Sequence, residues 1–397
     1  MGDAPGRRLR ARLTADSDVP LWTRPFLLVC GTHLLAYSSY AAVHPTFAAY
    51  LGTMSDSTSL VGVAFGAFTF AAVLSRPVVG WLLDRVGRRT VQAAAIVTLA
   101  GATLSFTWAT VIWAAVVLRV LHGLAWGATS TATPTIAADV VPSERQSEGL
   151  AYFGIVPNVA LMVWPPVGLW VAHRFGFGVQ FAGACLLALL ALGPLGALGE
   201  TTPATSTDGG LYAPDALPAA FLVALAGVPV GAIDVLLPLY APTVGLGNAG
   251  VFFTVMGGAI IVARAALRWL PRSTPGLLST SFGCQACGLA LLAFAPRLPV
   301  VRGLPGGLLA GAALFGLGFA PVFPLLQSVA VAGMPPGRRG NATATVLVGM
   351  DLGIGSGAIV CGTAADFVGI PVAYAGSALV PIAGVVLAST LLPDDVG

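Results

Sequence analysis

Twelve apolar stretches follow one another along this 397-residue chain, near residues 25–50, 58–80, 90–109, 112–138, 147–171, 179–198, 217–240, 248–267, 275–295, 303–332, 342–365 and 371–392. A helix of about 20 mostly apolar residues crosses the hydrocarbon core of a bilayer. The pattern therefore predicts an all-α membrane protein with twelve transmembrane helices. Charge agrees with that reading. Only 9% of the residues are charged and 56% are hydrophobic, whereas a soluble domain carries roughly 25% charged residues. Mean hydropathy is +0.88. A soluble enzyme and a disordered chain are both excluded.

The polar breaks are short: Ser55-Asp56-Ser57, Asp84-Arg85, Pro142 to Arg145, Arg174, Pro296-Arg297, Pro335 to Arg339, and Asp366. The longest polar interval, Glu200–Asp215, reads as a linker. The expected organisation is a basic tail (1–24), a six-helix bundle (25–198), a linker (199–216), a second six-helix bundle (217–392) and a short tail (393–397). The first apolar run is too long for a signal-peptide core and lacks a small-residue cleavage site, so it is expected to stay as a span. The five cysteines, including Cys284 and Cys287 one turn apart, lie in apolar runs and read as small core residues.

All 19 basic residues are arginine. With the N-terminus in the cytoplasm, thirteen of them fall inside: Arg7, Arg8, Arg10, Arg12, Arg24, Arg85, Arg88, Arg89, Arg145, Arg268, Arg272, Arg338 and Arg339. Arg174, Arg297 and Arg302 fall outside, and Arg76, Arg119 and Arg264 lie in or near spans. The positive-inside rule then predicts a multi-pass protein of the cell membrane with both termini cytoplasmic. A net charge of +3, scattered over short loops, argues against nucleic acid as a partner.

The two halves align. An offset of 193 pairs Pro45 with Pro238, Gly123 with Gly316, Arg145 with Arg338 and Gly176 with Gly369. In the second and eighth spans the offset is 188, pairing Gly62 with Gly250, Phe65 with Phe253 and Arg76 with Arg264. Two six-helix repeats in parallel orientation imply a pseudo-two-fold axis along the membrane normal and a site between the halves.

Between the second and third spans stands Gly80-Trp81-Leu82-Leu83-Asp84-Arg85-Val86-Gly87-Arg88-Arg89. It resembles the G-x-x-x-D-R-x-G-R-R loop of the major facilitator superfamily, and length, span count and repeat extend the resemblance over nearly the whole chain. The resemblance implies the fold of that superfamily: two parallel six-helix repeats. In it Gly80, Asp84, Arg85, Gly87, Arg88 and Arg89 form a gating loop. Physically, Asp84 at a helix end among arginines can pair with cations or with a helix N-terminus, holding the cytoplasmic ends of the halves together in one state of a rocking equilibrium. The repeat position in the second half, Arg264 to Arg272, retains no acid. In the fourth span, Arg119-Val120-Leu121-His122-Gly123-Leu124-Ala125-Trp126-Gly127 resembles the family's R-x-x-x-G-x-x-x-G pattern, often linked to proton handling. An arginine inside a span is costly and should face a cavity with a partner, while Gly123 and Gly127 offer a face for close helix contact. The fifth span, with Gly154, Pro157, Asn158, Trp164, Pro165, Pro166 and Gly168, faintly resembles the glycine–proline pattern of family antiporters.

His33, Tyr37, Tyr40 and His44 follow 4-3-4 spacing and share one face of the first span. In this superfamily the first, fourth, seventh and tenth spans line the cavity, so the stripe is a candidate substrate wall; an interfacial aromatic belt suits His44 better than Tyr37. Asp234 in the seventh span and Asp351 in the eleventh are buried carboxylates, able to load and release a proton in a low dielectric. Asp351 is the repeat mate of Asn158, and Arg119 that of Ala312. Asp139, Glu148 and Asp366 lie near span ends and read as interfacial. Proton coupling is thus assigned to Arg119, Asp234, Asp351 and His33, and the substrate cavity to Tyr37, Tyr40, Phe65, Phe68, His122, Trp126, Asn158, Trp164 and Gln327. No residues are spaced as metal ligands.

The expected function is secondary transport of a small amphipathic organic molecule by alternating access, as proton-coupled efflux. No cofactor is called for; the proton gradient supplies the energy, and the partners are a small-molecule substrate, the proton and the lipid bilayer. The resemblance implies a monomer. An importer of a sugar, organic acid or amino acid, working by symport or uniport, is the first alternative. Few amides lie within the spans, and Arg119 is the one clear cavity arginine for a strongly anionic substrate. A non-transporting sensor or scaffold is the alternative of another class.

Overall fold

The computed structural model describes residues 19–201, 213–266, 274–301, 304–332, 334–335 and 338–391. The expected tails, except 19–24, most of the linker, and Arg268, Arg272 and Arg302 lie outside the described residues. Twelve helices carry the fold: α1 (Arg24–Gly52), α2 (Thr58–Arg85), α3 (Arg88–Ser105), α4 (Ile112–Val140), α5 (Val156–Phe175), α6 (Phe177–Leu190), α7 (Leu217–Tyr240), α8 (Gly250–Ala266), α9 (Thr274–Phe294), α10 (Gly306–Val331), α11 (Arg339–Val368) and α12 (Ile370–Leu391). Eleven of the apolar helical segments are long enough to cross a membrane; α8 is described over 17 residues. The fifth expected span, 147–171, is broken into a short helix, Gln146–Phe153, and α5. The start of the tenth, 303–332, is taken by a small antiparallel hairpin, Val300–Val301 with Leu304–Pro305, before α10.

Local chemistry sets the ends. Thr23 caps α1 by accepting from the Phe26 N–H at 3.3 Å, with Pro25 in the first turn. Gly176 and Gly369, repeat mates, take φ of 89° and 83° at the ends of α5 and α11. Glycine reaches such angles without strain, so the same sharp turn joins α5 to α6 and α11 to α12.

The two sets of six helices repeat one contact pattern. α1 packs on α5 and α6, α2 on α4, and α3 on α4 and α6; α7 packs on α11 and α12, α8 on α10, and α9 on α10 and α12. The repeat extends to single residues. A Cβ on Gly123 would strike the Phe68 carbonyl, and one on its mate Gly316 would strike the Met256 carbonyl. The glycine-rich run in α11 works likewise: Gly353 and Gly357 lie against the carbonyls of Ala224 and Val228 on α7. Between the sets, α2 lies on α11, α5 on α8 and α1 on α7.

Gly123→Leu should force α4 away from α2. Overpacking of this kind costs about 1–3 kcal/mol, and the unfolding midpoint of the purified protein in detergent should fall accordingly; an unchanged midpoint would contradict the packing.

Candidate functional site

The end of the molecule that carries Arg85, Arg88, Arg89, Arg145, Arg338 and Arg339 is the arginine-rich end. At a rise of 1.5 Å per residue, His44, Arg119 and Asp234 all lie about 10 Å from the opposite end. There they form one polar chain. Nη1 of Arg119 lies 3.0 Å from Nδ1 of His122, and Nη2 lies 3.3 Å from Nδ1 of His44. Nε2 of His44 lies 2.9 Å from Oδ2 of Asp234, an oblique approach to the ring N–H. The chain runs from α4 through α1 to α7, joining the two sets of helices.

Arginine has only donors. Both Nδ1 atoms must therefore accept from it, and a neutral His44 carries its proton on Nε2, toward Asp234. The guanidinium of Arg119 is fully buried. Its carbon lies 4.5, 4.9 and 4.2 Å from the ring centres of Phe47, Phe65 and Phe68. Such contacts contribute about 1–2 kcal/mol each when desolvated. Three of them, with two imidazole acceptors, offset much of the several kcal/mol that a midspan arginine costs.

Toward the arginine-rich end follows an aromatic layer. Tyr40 stacks on Trp126 with centroids 4.0 Å apart and planes 11° apart, and on Phe68 at 5.8 Å. Tyr37 meets Trp126 edge-on at 5.0 Å. Tyr37 and Tyr40 are only partly buried. The 4-3-4 spacing on α1 thus does place Tyr37, Tyr40 and His44 on one face. His44 is buried inside the polar chain, not in an interfacial belt. His33 stacks on Phe153 at 4.5 Å and meets Tyr37 edge-on at 5.6 Å, and makes no hydrogen bond to the polar chain.

A third layer holds the remaining charges. Asp351 accepts from Arg76 Nη2 at 2.6 Å and Nε at 3.2 Å, and Arg76 Nη1 donates to Thr131 at 3.3 Å. Asp351 is therefore not a lone carboxylate but half of an ion pair between α11 and α2. At the repeat-related place, Arg264 Nη1 donates to the Gly154 carbonyl at 3.1 Å, and Asn158 Nδ2 donates to the same oxygen at 3.0 Å. Trp164 packs against the apolar core, and Gln327 donates to Thr343 at 3.5 Å within α10 and α11. The structure does not bring Asn158, Trp164 or Gln327 to the aromatic layer.

The loop after α2 is knotted within its own set of helices. Arg88 is buried between Asp84, at 3.5 Å, and Asp139 at the end of α4. Thr201 donates to Asp139 at 3.0 Å, and the Arg89 N–H donates to Glu200 at 3.0 Å. Gly87 takes φ of 109° beside the Glu200 carboxylate. Arg85 lies over the Trp81 ring at 4.6 Å, and Gly80 faces open space. Among the described residues, Asp84 makes no hydrogen bond or ion pair with the second set, so the expected link between the halves through this loop is not formed here. Arg88 meets Asp139, distant in the chain, because both side chains are largely withdrawn from solvent there, whereas Asp84 stays exposed. Asp139 at the end of α4 is thus an ion-pair partner. Glu148 pairs with Arg145 at 2.7 Å. Among the described residues no three His, Cys, Asp or Glu side chains converge as metal ligands.

The family model described as Major Facilitator Superfamily matches residues 27–344. An uncharacterized MFS-type transporter of Burkholderia mallei (strain SAVP1) is 30% identical over 349 residues, covering 84% of each chain. A staphylopine export protein of Staphylococcus aureus is 24% identical, covering 88% of this chain and 91% of that one. Among solved structures, the nucleoside transporter NupG superposes with a TM-score of 0.73 at 14% identity, covering 93% of this chain and 99% of that one. The xylose transporter XylE from E. coli, in an inward open conformation, gives 0.74 at 16%, covering 95% and 98%.

The pair of Arg76 and Asp351 is mostly buried, so either single neutralisation strands a charge. Arg76→Ala and Asp351→Ala should each destabilise the protein, with a coupling of about 1–3 kcal/mol in a double-mutant cycle. Unfolding midpoints of the two singles and the double measure it; additive effects would disprove the pair.

Proposed function

The chain belongs to the Major Facilitator Superfamily, whose fold is that of a secondary transporter and not of an enzyme, and from that premise we propose that it is a proton-coupled exporter of a small amphipathic organic molecule. It works in the cell membrane with both termini in the cytoplasm, so the arginine-rich end faces inward. The observation that carries the reading is the buried chain His122–Arg119–His44–Asp234, which crosses from one half to the other.

Asp234 is the proton carrier. His44 Nε2 lies 2.9 Å from its carboxylate while α1 and α7 are together. Separating the helices at the outer end removes that neighbour and moves Arg119 away. Proton occupancy of Asp234 and closure of the outer end therefore oppose each other. A proton is taken up from outside when that end is open and shed when it closes and the cavity faces the cytoplasm. Substrate moves the other way in the same cycle. Tyr37, Tyr40, Phe68 and Trp126 form its wall, an aromatic surface suited to an amphipathic body. The resemblance to a protein named for staphylopine export supports the outward direction.

Inverted vesicles, energised to an acid interior and loaded with a pH-sensitive dye, test the proposal. A panel of amphipathic compounds should include some that release protons on addition. Asp234→Asn and His44→Ala should reduce that signal to background, while His33→Ala leaves it within about twofold, a change below 0.5 kcal/mol. Substrate accumulation driven by an inward proton gradient in intact cells would replace the exporter with a symporter.

A further inference from the structure

The repeat makes Arg76 and Arg264 equivalent, and Asp351 and Asn158 equivalent. The structure keeps both relations, because each arginine reaches across the contact between halves: Arg76 on α2 to Asp351 on α11, and Arg264 on α8 to the Gly154 carbonyl before α5, which Asn158 also reaches. The chemistry differs. Arg76 has a carboxylate. Arg264 has a carbonyl oxygen that it shares with an amide, and its Nε is enclosed without a partner. Among the described residues no carboxylate lies within ion-pair distance of it.

A guanidinium cannot shed its charge by deprotonation, so the missing counter-ion must come from elsewhere. Arg119 meets its charge with two imidazoles and three rings. Arg264, partly buried, has neither among the described residues. It lies on the side of the aromatic layer nearer the arginine-rich end, within electrostatic range of Tyr37. The planar fork of arginine matches a carboxylate or phosphate two bonds at a time.

We infer that Arg264 receives an anionic group of the transported molecule, a carboxylate, sulfonate or phosphate, while the apolar body of that molecule lies on Tyr37, Tyr40 and Trp126. This deepens the exporter reading and rests on its placing of substrate between the halves. Asn158 is a positioning residue: an amide leaves the arginine's charge available where an aspartate would consume it.

The test is thermal unfolding of the purified full-length protein in detergent with three probes of one shape: 2-naphthoate, neutral 2-naphthamide and cationic 2-naphthylmethylammonium. Naphthoate should raise the wild-type midpoint, and the other two should raise it far less. Arg264→Gln should lose the naphthoate shift and Arg264→Lys should keep part of it. Asn158→Asp retains the arginine but supplies the absent carboxylate; it should raise the ligand-free midpoint and lose the naphthoate shift, and it carries the test should Arg264→Gln not fold. Equal shifts from the three probes, no shift from naphthoate in the wild type, or a naphthoate shift that survives Asn158→Asp would overturn the inference. The vesicle assay separates this from the exporter reading. Naphthoate binding without proton release leaves the anion site and removes the exporter; proton release by neutral and cationic compounds alone, unaffected by Arg264→Gln, does the reverse.

Discussion

A charge carried into hydrocarbon costs several kcal/mol unless a partner meets it, and this requirement orders the interior of the molecule. Ionisable side chains within the helices include Arg76, Arg119, Arg264, Asp234 and Asp351. Arg76 and Asp351 answer each other, which requires α2 to lie against α11. Arg119 and Asp234 answer each other through His44, which requires α1 between α4 and α7. Apolar packing alone does not choose neighbours in lipid, because tails are as apolar as leucine. The charge pairs, with the glycine contacts, supply that choice.

The α2–α11 pair also shows how closure at one end is made reversible. The helices run antiparallel, and each carries an aspartate near its end. At the end opposite the arginines, Asp366 accepts from the N–H groups of Thr58 and Ser59 at 2.7 and 3.1 Å and from the hydroxyls of Ser57 and Thr58 at 2.7 and 2.6 Å. A carboxylate from one half thus caps a helix of the other. At the arginine-rich end Asp84 is paired with Arg88 of its own half and makes no such cap. The bonds of Asp366 lie at an exposed surface, where water replaces a broken bond at modest net cost, so the contact can be made and broken in each cycle. Alternating access needs contacts of that kind, not a fixed bolt.

Much of this is legible in the sequence. Apolar length alone gives the twelve helices, and the glycines of α4 and α11 announce close packing. Spacing on α1 foretells that Tyr37 and Tyr40 share a face. Pairing is not legible, because the partners stand far apart in the chain: His44 with Asp234, Arg76 with Asp351, Arg88 with Asp139. Spacing gives a residue's face, not what stands opposite. His44 reads as interfacial because it is near a helix end, yet α7 covers it at that depth. His33 misleads for the converse reason: it shares the stripe, but the nearest ring on that side is Phe153. Arg76 does carry a signal in the sequence, since its repeat mate is also an arginine and a buried arginine needs a partner.

Two symmetric halves cannot by themselves separate a proton from a substrate, so the asymmetries matter most. Arg119 faces Ala312 across the repeat, and Asp351 faces Asn158. On the proposed assignments the proton site lies about 10 Å along the axis from the anion site. The carboxylate of the first site has His44 and Arg119 beside it, both from the opposite half, so its surroundings change whenever α1 and α7 part. The arginine of the second site meets a carbonyl oxygen and no carboxylate among the described residues, so its charge is open to whatever enters beside it. Strict symmetry would have given both places the same partners and the same response. The two departures from the repeat let one space between the halves treat a cation and an anion differently.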